Sequence, residues 1–349
     1  MIVAASDPIL VTGSAGFLGR SVVHSLLAHG FGNIRCFARR SSDVGLLESL
    51  AGPQRAGNVE VVRGNLLSRE DCDRATKNAA VIYHVAAGTT QKSFSEAFRN
   101  SVVTTRNLLE AALPHGCLRR FVSISSFAVY TNRDKPRRNV LDESCPVEPS
   151  PVLRGDAYCY AKLKQDELVV EYGRNHALPY VLVRPGVVYG PGSLGISSRV
   201  GSGAFGVFLH LGGANVVPLT YVDNCADAIV LAGIRPGVEG EVLNVVDDDL
   251  PTSREFLRLY KRHVKPFRSI PVPRPVSYML CTLWEKYAGW SRGQLPPVFN
   301  RRVWHAYWKG SRYDNTRAKR LLGWEPRVAT DEGLRRYFEA CRAREGHVA

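Results

Sequence analysis

The apolar positions of the first half of the chain fall into short runs divided by longer amphipathic stretches. Runs at 9–12, 34–37, 59–62, 81–84, 121–124 and 180–184 are rich in Val, Ile and Phe, the pattern of strands covered on both faces. Between the first two, Val22, Val23, Leu26 and Leu27 recur at helical spacing before Gly30, which predicts a helix and its stop. Residues 68–78 and about 94–113 read as further helices. Strands alternating with helices predict an α/β fold, a doubly wound parallel sheet. The run at 242–245 predicts the last strand of that sheet.

The pattern changes in the second half. Helices are predicted over 253–263 and from Asp331. Between them, Val276, Met279, Leu280, Leu283, Trp284 and Tyr287 stand at i, i+3, i+4, i+7, i+8 and i+11, an amphipathic helix. Its apolar stripe has two readings. One is a core or lid surface packed on the main domain. The other is a docking face for an apolar substrate or a membrane surface, with Arg292, Arg301, Arg302 and Lys309 nearby. The glycine- and serine-rich residues 193–208 predict a mobile substrate loop. The polar segment 131–156 carries Arg133, Lys135, Arg137 and Arg138 and reads either as a solvated basic loop or as a substrate contact.

A chain of 349 residues with 45% hydrophobic and 22% charged residues has the balance of a globular protein with a large core. The formal net charge of +14 favours anionic partners such as a phosphorylated cofactor, an acidic substrate or a membrane surface. The basic residues read as spread along the chain and no nucleic-acid-binding motif is present, so nucleic acid is not an expected partner. The eight cysteines are scattered, with no Cys-x-x-Cys and no histidine cluster at metal-ligand spacing, so no metal is expected and a reduced compartment is. The first residues lack the pattern of a signal peptide, and no apolar stretch is long enough to span a membrane. A cytoplasmic location is the expectation.

The chemistry starts at the end of the first run. Gly13, Ser14, Ala15, Gly16, Phe17, Leu18 and Gly19 spell G-x-x-G-x-x-G between a predicted strand and a predicted helix, the setting in which glycines bind a dinucleotide. Gly13 permits the tight turn, Gly16 lets backbone approach the pyrophosphate, and Gly19 allows close helix packing. The helix N-terminus offers free N–H groups to phosphates. About 20 residues further on, where an acidic residue would meet a ribose hydroxyl, stand Arg39 and Arg40. Arginine suits a 2′-phosphate, which favours NADP, with NAD the alternative. Ligands bind beyond the carboxyl ends of such strands, where Asn65 with Leu66, His84 to Gly88 (Val85, Ala86, Ala87 and Gly88 among them) and Ser123 to Ser126 fall. In YCYAK, Tyr158 and Lys162 lie one helical turn apart. An ammonium beside a phenol lowers its pKa and fits it for proton exchange with an alcohol or ketone. Tyr160 and Lys164 repeat the spacing, and spacing alone does not choose between the pairs.

The runs TGSAGFLG, VVRGNL, VIYHVAAG, NSVVTTRNLLEAA, SISSFAVY, YCYAK, VLVRPGVVYGPG, LTYVDNCADAIVLA and DNTRAKRLLGWEP extend in order from Thr12 to Pro326. Together they resemble the extended short-chain dehydrogenases/reductases, the group of the NAD-dependent epimerases and dehydratases and of the 3β-hydroxysteroid dehydrogenase-like enzymes. The resemblance implies a Rossmann-type domain, mainly residues 1–190 and also receiving 220–247. The regions 191–219 and 248–349 would then mainly bind and cover the substrate. It implies Ser126 as the serine that hydrogen-bonds the reacting oxygen, Tyr158 as acid/base, and Lys162 as holder of the nicotinamide ribose. The family places a small residue before that lysine; Ala161 fits and Leu163 of the second pair does not. Asn65 stands for the more usual adenine-binding aspartate. Asn100 matches an asparagine that supports the active site, and Pro185, Gly186, Val187 and Val188 match residues near the nicotinamide. Ser126-Phe127-Ala128 departs from the Thr-Asp-Glu of sugar-nucleotide 4,6-dehydratases, which argues against dehydration. Val217 and Pro218 occupy the region where many sugar-nucleotide enzymes carry a diphosphate-binding arginine, although Arg199 could serve instead. The implied activity is interconversion of a secondary alcohol and a ketone. A nucleotide-sugar epimerase is the alternative and a non-catalytic dinucleotide sensor a third reading. A homodimer through helices beside the catalytic one is common in the group.

Overall fold

Seven short strands pair in parallel into one sheet in the order Val242–Val245, Tyr180–Pro185, Arg120–Ile124, Val81–His84, Ile9–Thr12, Asn33–Ala38, Asn58–Arg63. The computed structural model describes residues 1–50, 58–88, 93–136, 139–193, 195–204, 206–291, 294–295 and 299–346. Arg137, Arg138 and Arg292, and Leu194 and Phe205 of the predicted substrate loop, lie outside them.

The two faces of the sheet are covered separately, as the unbroken apolar runs require. Ile9, Val11, Val81, Tyr83, Val122 and Val183 point to one face, where they meet Val22, Val23 and Leu26 of helix Phe17–Ala28 and Ile229 of helix Val222–Ile234. Leu10, Ile82, Phe121 and Leu182 point to the other, against Leu108 and Leu109 of helix Thr104–Ala112 and Val169 of helix Ala157–His176. Each such side chain, taken from water, contributes about 1.5–3 kcal/mol.

The strand order reverses direction at Ile9–Thr12, between Val81–His84 and Asn33–Ala38. That switch point opens a crevice beyond the strand ends. The helix predicted over 94–113 is broken. Phe94–Phe98 and Thr104–Ala112 flank a wider turn, Arg99–Val103, that carries Asn100. Wide turns of this kind concentrate at functional sites.

Two expectations for the second half are corrected. Residues 193–208 do not form one loop: Gly201–Ala204 and Val207–His210 pair antiparallel, and Ser269–Pro271 joins the latter in parallel. Backbone pairing outweighs the loop-like composition. The amphipathic helix forms, as Arg274–Trp290, but turned outward: Ser277, Cys281 and Ala288 are buried, while Val276, Met279, Leu280, Leu283 and Tyr287 are exposed. Small residues face helix Arg301–Tyr307 because the Trp304 and Tyr278 rings fill the space between, 4.9 Å apart.

Candidate active site

The glycine turn shows why its residues are glycines. Gly13 has φ +68°, and a Cβ there would stand 2.7 Å from the Ala86 backbone nitrogen. A Cβ on Gly19 would lie 2.1 Å from the Gly13 carbonyl oxygen. Helix Phe17–Ala28 begins at this turn with no side-chain cap and no acidic residue in its first turn. Its N-terminal N–H groups and positive dipole end face the cleft.

The cleft has a volume of about 1180 Å³. Its walls include Gly13, Ala15, Gly16, Phe17, Leu18 and Gly19, then Arg39 and Arg40, both exposed at the mouth. Asn65, Leu66, Val85, Ala86, Ala87 and Asn100 continue the wall. Ser126, Tyr158, Lys162, Pro185, Gly186 and Val188 close it. Four residues from the candidate set are not on this wall. Ser14 and Ser123 are fully buried, and Ser14 donates to the Phe37 carbonyl at 3.1 Å. Gly88 and Val187 lie beside wall residues rather than on the wall. Strand alternation accounts for Ser123, which points into the sheet while Ile124 reaches the opening. Ser41, Ser42, Asp43 and Thr104 line the cleft without having been singled out in the sequence. The Asn65 side-chain oxygen accepts from Leu67 N–H at 3.0 Å, and its backbone N–H donates to buried Asp71 at 2.8 Å.

Helix Ala157–His176 carries Tyr158 and Lys162 on the cleft side, and Asp156 caps its start by accepting from Cys159 N–H at 3.0 Å. Tyr160 of the alternative pair packs instead among Phe94 and Phe98, with ring centroids 5.2 and 6.3 Å away. Ser126, at the end of its strand, accepts from Ala128 N–H at 3.1 Å. Burial pushes the Tyr158 phenol up to about 12, and a hydrogen bond with Ser126 pulls the other way. This corrects the expected lowering by Lys162. The ammonium turns away, donating to the Ile124 carbonyl at 2.6 Å and Gln165 Oε1 at 2.8 Å. A buried ammonium needs acceptors on several sides, and these are the ones within reach. Burial lowers Lys162 to about 8, opposed by the Asp166 carboxylate.

Behind the lysine runs a buried chain that sequence reading missed. Gln165 Nε2 donates to Thr105 Oγ1 at 2.9 Å, and Thr105 donates on to the Ser101 carbonyl. Thr105 therefore accepts from His84 Nε2, 2.9 Å away. His84 Nδ1 in turn accepts from Thr12 Oγ1 at 2.8 Å, and Thr12 accepts from Ala86 N–H at 3.3 Å. Burial pushes His84 down to about 3, so it is neutral and its tautomer is set by these partners. The chain ties Lys162 to the first strand and to the Ala86 segment of the cleft wall. A second buried group, Asp166 with Ser125 at 2.8 Å and Arg184 at 3.0 Å, braces the strand end beneath Ser126. His84 was singled out only for its place at a strand end, and Gln165, the third residue after Lys162 on one helix face, offered a signal that was not used; the threonines, distant in sequence, offered none.

On the far side, Tyr307 donates to Asp156 Oδ2 at 2.7 Å, under the guanidinium groups of buried Arg154 and Arg199, about 5.0 and 4.9 Å from its ring centroid. Lys309 donates to the carbonyls of Asn132 and Arg133 at 2.8 and 2.9 Å and fastens the basic segment. Asn224 fastens the C-terminal region: it donates to Asp247 at 3.0 Å and to the Val328 carbonyl at 2.8 Å.

Comparison with known proteins bears on the family and the fold. The chain is 28% identical over 354 residues to the trifunctional UDP-glucose 4,6-dehydratase/UDP-4-keto-6-deoxy-D-glucose 3,5-epimerase/UDP-4-keto-L-rhamnose-reductase of Arabidopsis thaliana, covering 95% of this chain and 46% of that protein. The chain thus spans about half the length of that relative. It is 29% identical over 329 residues to sterol demethylase protein B of Methylococcus capsulatus, covering 91% of this chain and 93% of that one. The solved structure of UDP-glucuronic acid 4-epimerase from Bacillus cereus in complex with NAD superposes with a TM-score of 0.71 at 21% identity, over 96% of this chain and 99% of that one. At that identity the likeness speaks for the fold alone. The model described as "NAD dependent epimerase/dehydratase family" matches residues 9–245, and the chain belongs to that family and is an enzyme of it.

Proposed function

We propose that the protein is an NAD(P)-dependent oxidoreductase that interconverts a secondary alcohol and a ketone. One observation carries the reading: Ser126, Tyr158 and Lys162 share the wall of the cleft that begins at the glycine turn. The tight glycine turn, in which a Cβ at Gly13 or Gly19 would strike backbone, the uncapped helix start and the cleft volume fit a dinucleotide. The glycine turn, Asn65 and the Val85–Ala87 segment would hold it, with Arg39 and Arg40 favouring the 2′-phosphate of NADP. When bound, the nicotinamide supplies hydride transfer.

The remaining work falls to this chain. Ser126 orients the substrate oxygen and Tyr158 exchanges the proton with it. A phenol held at about 12 is protonated at neutral pH, which suits it to donate to the oxygen of a ketone undergoing reduction. Lys162 holds the ribose side of the site, itself fixed by Ile124 and Gln165. Buried Phe127 and Ala128 provide no carboxyl group where a dehydratase would need acid and base, so dehydration is set aside. Residues 1–190 with 220–247 act as the dinucleotide-binding part and the remainder as the substrate part. A second copy of the chain, held through helices beside Ala157–His176, completes the proposed assembly, in the cytoplasm.

Epimerisation of a nucleotide sugar is the second reading, favoured by the UDP-sugar enzymes among the similar proteins. Fluorescence titration with NADPH and NADH, with mass spectrometry of any copurified nucleotide, separates the two. Exchangeable NADPH is the expected result. Tightly retained NAD would reverse the order of the readings, and binding of neither nucleotide would refute both.

A further inference from the structure

Helix Arg274–Trp290 presents its apolar stripe outward. On its buried side, Ser277 and Cys281 pack with Trp304, whose indole N–H donates to Ser277 Oγ at 2.9 Å, and Ala288 is buried further along. Val276, Met279, Leu280, Leu283, Tyr287 and Trp290 are exposed, Leu283 to 55% and Trp290 to 77%. At i, i+3, i+4, i+7, i+11 and i+14 they make a continuous stripe along the helix. Isolated exposed apolar residues need no explanation, but a contiguous face marks a contact surface.

The positive charge gathers in the same region. Residues 256–313 hold twelve Lys and Arg against one acidic residue, Glu285, a net +11 of the chain's +14. The even spread of basic residues expected from the sequence does not hold here. Three of the cations first placed beside the helix are engaged elsewhere or only partly free. Arg301 pairs with Glu285, Arg302 with Glu148, and Lys309 binds backbone carbonyls. Arg258, Arg262, Arg268 and Lys286 are exposed instead, and Lys265, also exposed, pairs with Glu345 at 2.6 Å. Lys286 sits one turn from both Leu283 and Trp290, at the rim of the stripe. Arg268 stands two residues before Ile270, itself 53% exposed, on the segment leading into the helix.

We propose that this face docks the protein on the surface of a bilayer containing anionic lipid. The helix lies in the interface with its Leu, Met and aromatic side chains at the acyl boundary. The cations meet headgroup phosphates, with the Lys286 stem following the apolar surface. Among the described residues no helix is long and apolar enough to cross a membrane, so the contact is peripheral. A twofold contact between copies through this face would bring two strongly positive segments together, which disfavours a second copy as occupant.

Flotation of the full chain with phosphatidylcholine vesicles, with and without phosphatidylglycerol, tests this. The expected result is retention on the anionic vesicles with a blue shift of tryptophan emission. Binding weakens as salt contracts the screening length from about 10 Å at 0.1 M to about 3 Å at 1 M. Leu283→Glu with Trp290→Glu lowers the bound fraction at least about tenfold, since it puts charge into the apolar boundary. Arg268→Gln with Lys286→Gln, which leaves the stripe intact, removes the preference for anionic vesicles. Both variants keep the wild-type thermal midpoint and NADPH titration, so this result stands apart from the oxidoreductase reading. Absence of flotation with anionic vesicles, or variants that bind like wild type, overturns the proposal. A dimer seen by sedimentation that Leu283→Glu with Trp290→Glu breaks, without vesicle binding, assigns the face to a second copy and also overturns it.

Discussion

Lys162→Met gives a stability test of the site that needs no substrate. The ammonium is 2% exposed, and burial lowers its pKa from 10.5 to about 8. A lysine with a depressed folded-state pKa has a definite sign: the folded chain binds fewer protons than the unfolded chain between those two values. Stability therefore rises with pH through that window and is lost as pH falls through 8. Integrated from about pH 7 to about pH 10, the lysine's contribution grows by about 2–3 kcal/mol in favour of the folded state. Methionine does not titrate. It leaves the Ile124 carbonyl and Gln165 Oε1 without their donor, at a cost of about 1–3 kcal/mol each that is the same at both pH values. Urea unfolding of both proteins at the two pH values gives the difference in stability, in which other titrations cancel. The expected outcome is a wild-type advantage that grows by about 2–3 kcal/mol at the higher pH. A difference flat to within about 0.5 kcal/mol would refute the claim that this ammonium is buried and poorly compensated.

The other expectations concern chemistry and binding. Tyr158→Phe lowers turnover by about 10²–10⁴-fold in a spectrophotometric assay while NADPH affinity holds. Tyr160→Phe, whose ring sits among Phe94 and Phe98, has a much smaller effect, and equal losses would undo the choice of pair. Gly19→Ala places a Cβ 2.1 Å from the Gly13 carbonyl and is expected to weaken dinucleotide binding at least about tenfold by titration; unchanged affinity would show that the turn does not cradle the phosphates. Arg39→Ala removes a charge-assisted contact and narrows the preference for NADPH over NADH by roughly tenfold or more. No change in that ratio would remove the arginine from cofactor choice.

The sheet was legible because its strands are buried on both faces. Residues 81–83 and 181–183 are wholly apolar or aromatic, and the alternation with helices admits few topologies. The glycine turn was legible because Gly13 and Gly19 meet steric demands that other residues cannot. Helical spacing offered two tyrosine–lysine pairs and the resemblance, through Ala161, chose Tyr158 and Lys162, but the direction of the ammonium was not legible. That direction depends on Gln165, Thr105, His84 and Thr12, which only folding brings together. Ser14 and Ser123 show the same limit: position at a strand end says nothing of which way the side chain points. Hairpin Gly201–His210 was hidden because its strands depend on Ser269–Pro271, about sixty residues later.

Helix Arg274–Trp290 shows where pattern reading stops. Periodicity identifies a helix and an apolar stripe, but it carries no information about which side the stripe faces. The usual inference, that the stripe meets the core, assumes that the opposite side is polar enough to be solvated. Here the side turned inward is Ser277, Cys281 and Ala288, and the first two are small enough to admit the Trp304 ring from helix Arg301–Tyr307. Large residues packed from the neighbouring helix let small ones on this helix be buried, and so released the stripe to the surface. That helix also carries Tyr307, which holds the Asp156 cap of the helix bearing Tyr158. The outward stripe is thus two packing contacts from the candidate active site: Ser277 to Trp304, and Tyr307 to Asp156. That proximity of the exposed face to Tyr158, the proposed acid/base, gives the vesicle experiment a second readout. If the coupling is real, anionic vesicles change the apparent NADPH affinity of wild type and leave that of Leu283→Glu with Trp290→Glu unchanged. Equal affinity with and without vesicles, in a protein that floats with them, would mean that docking fixes location without reaching the site.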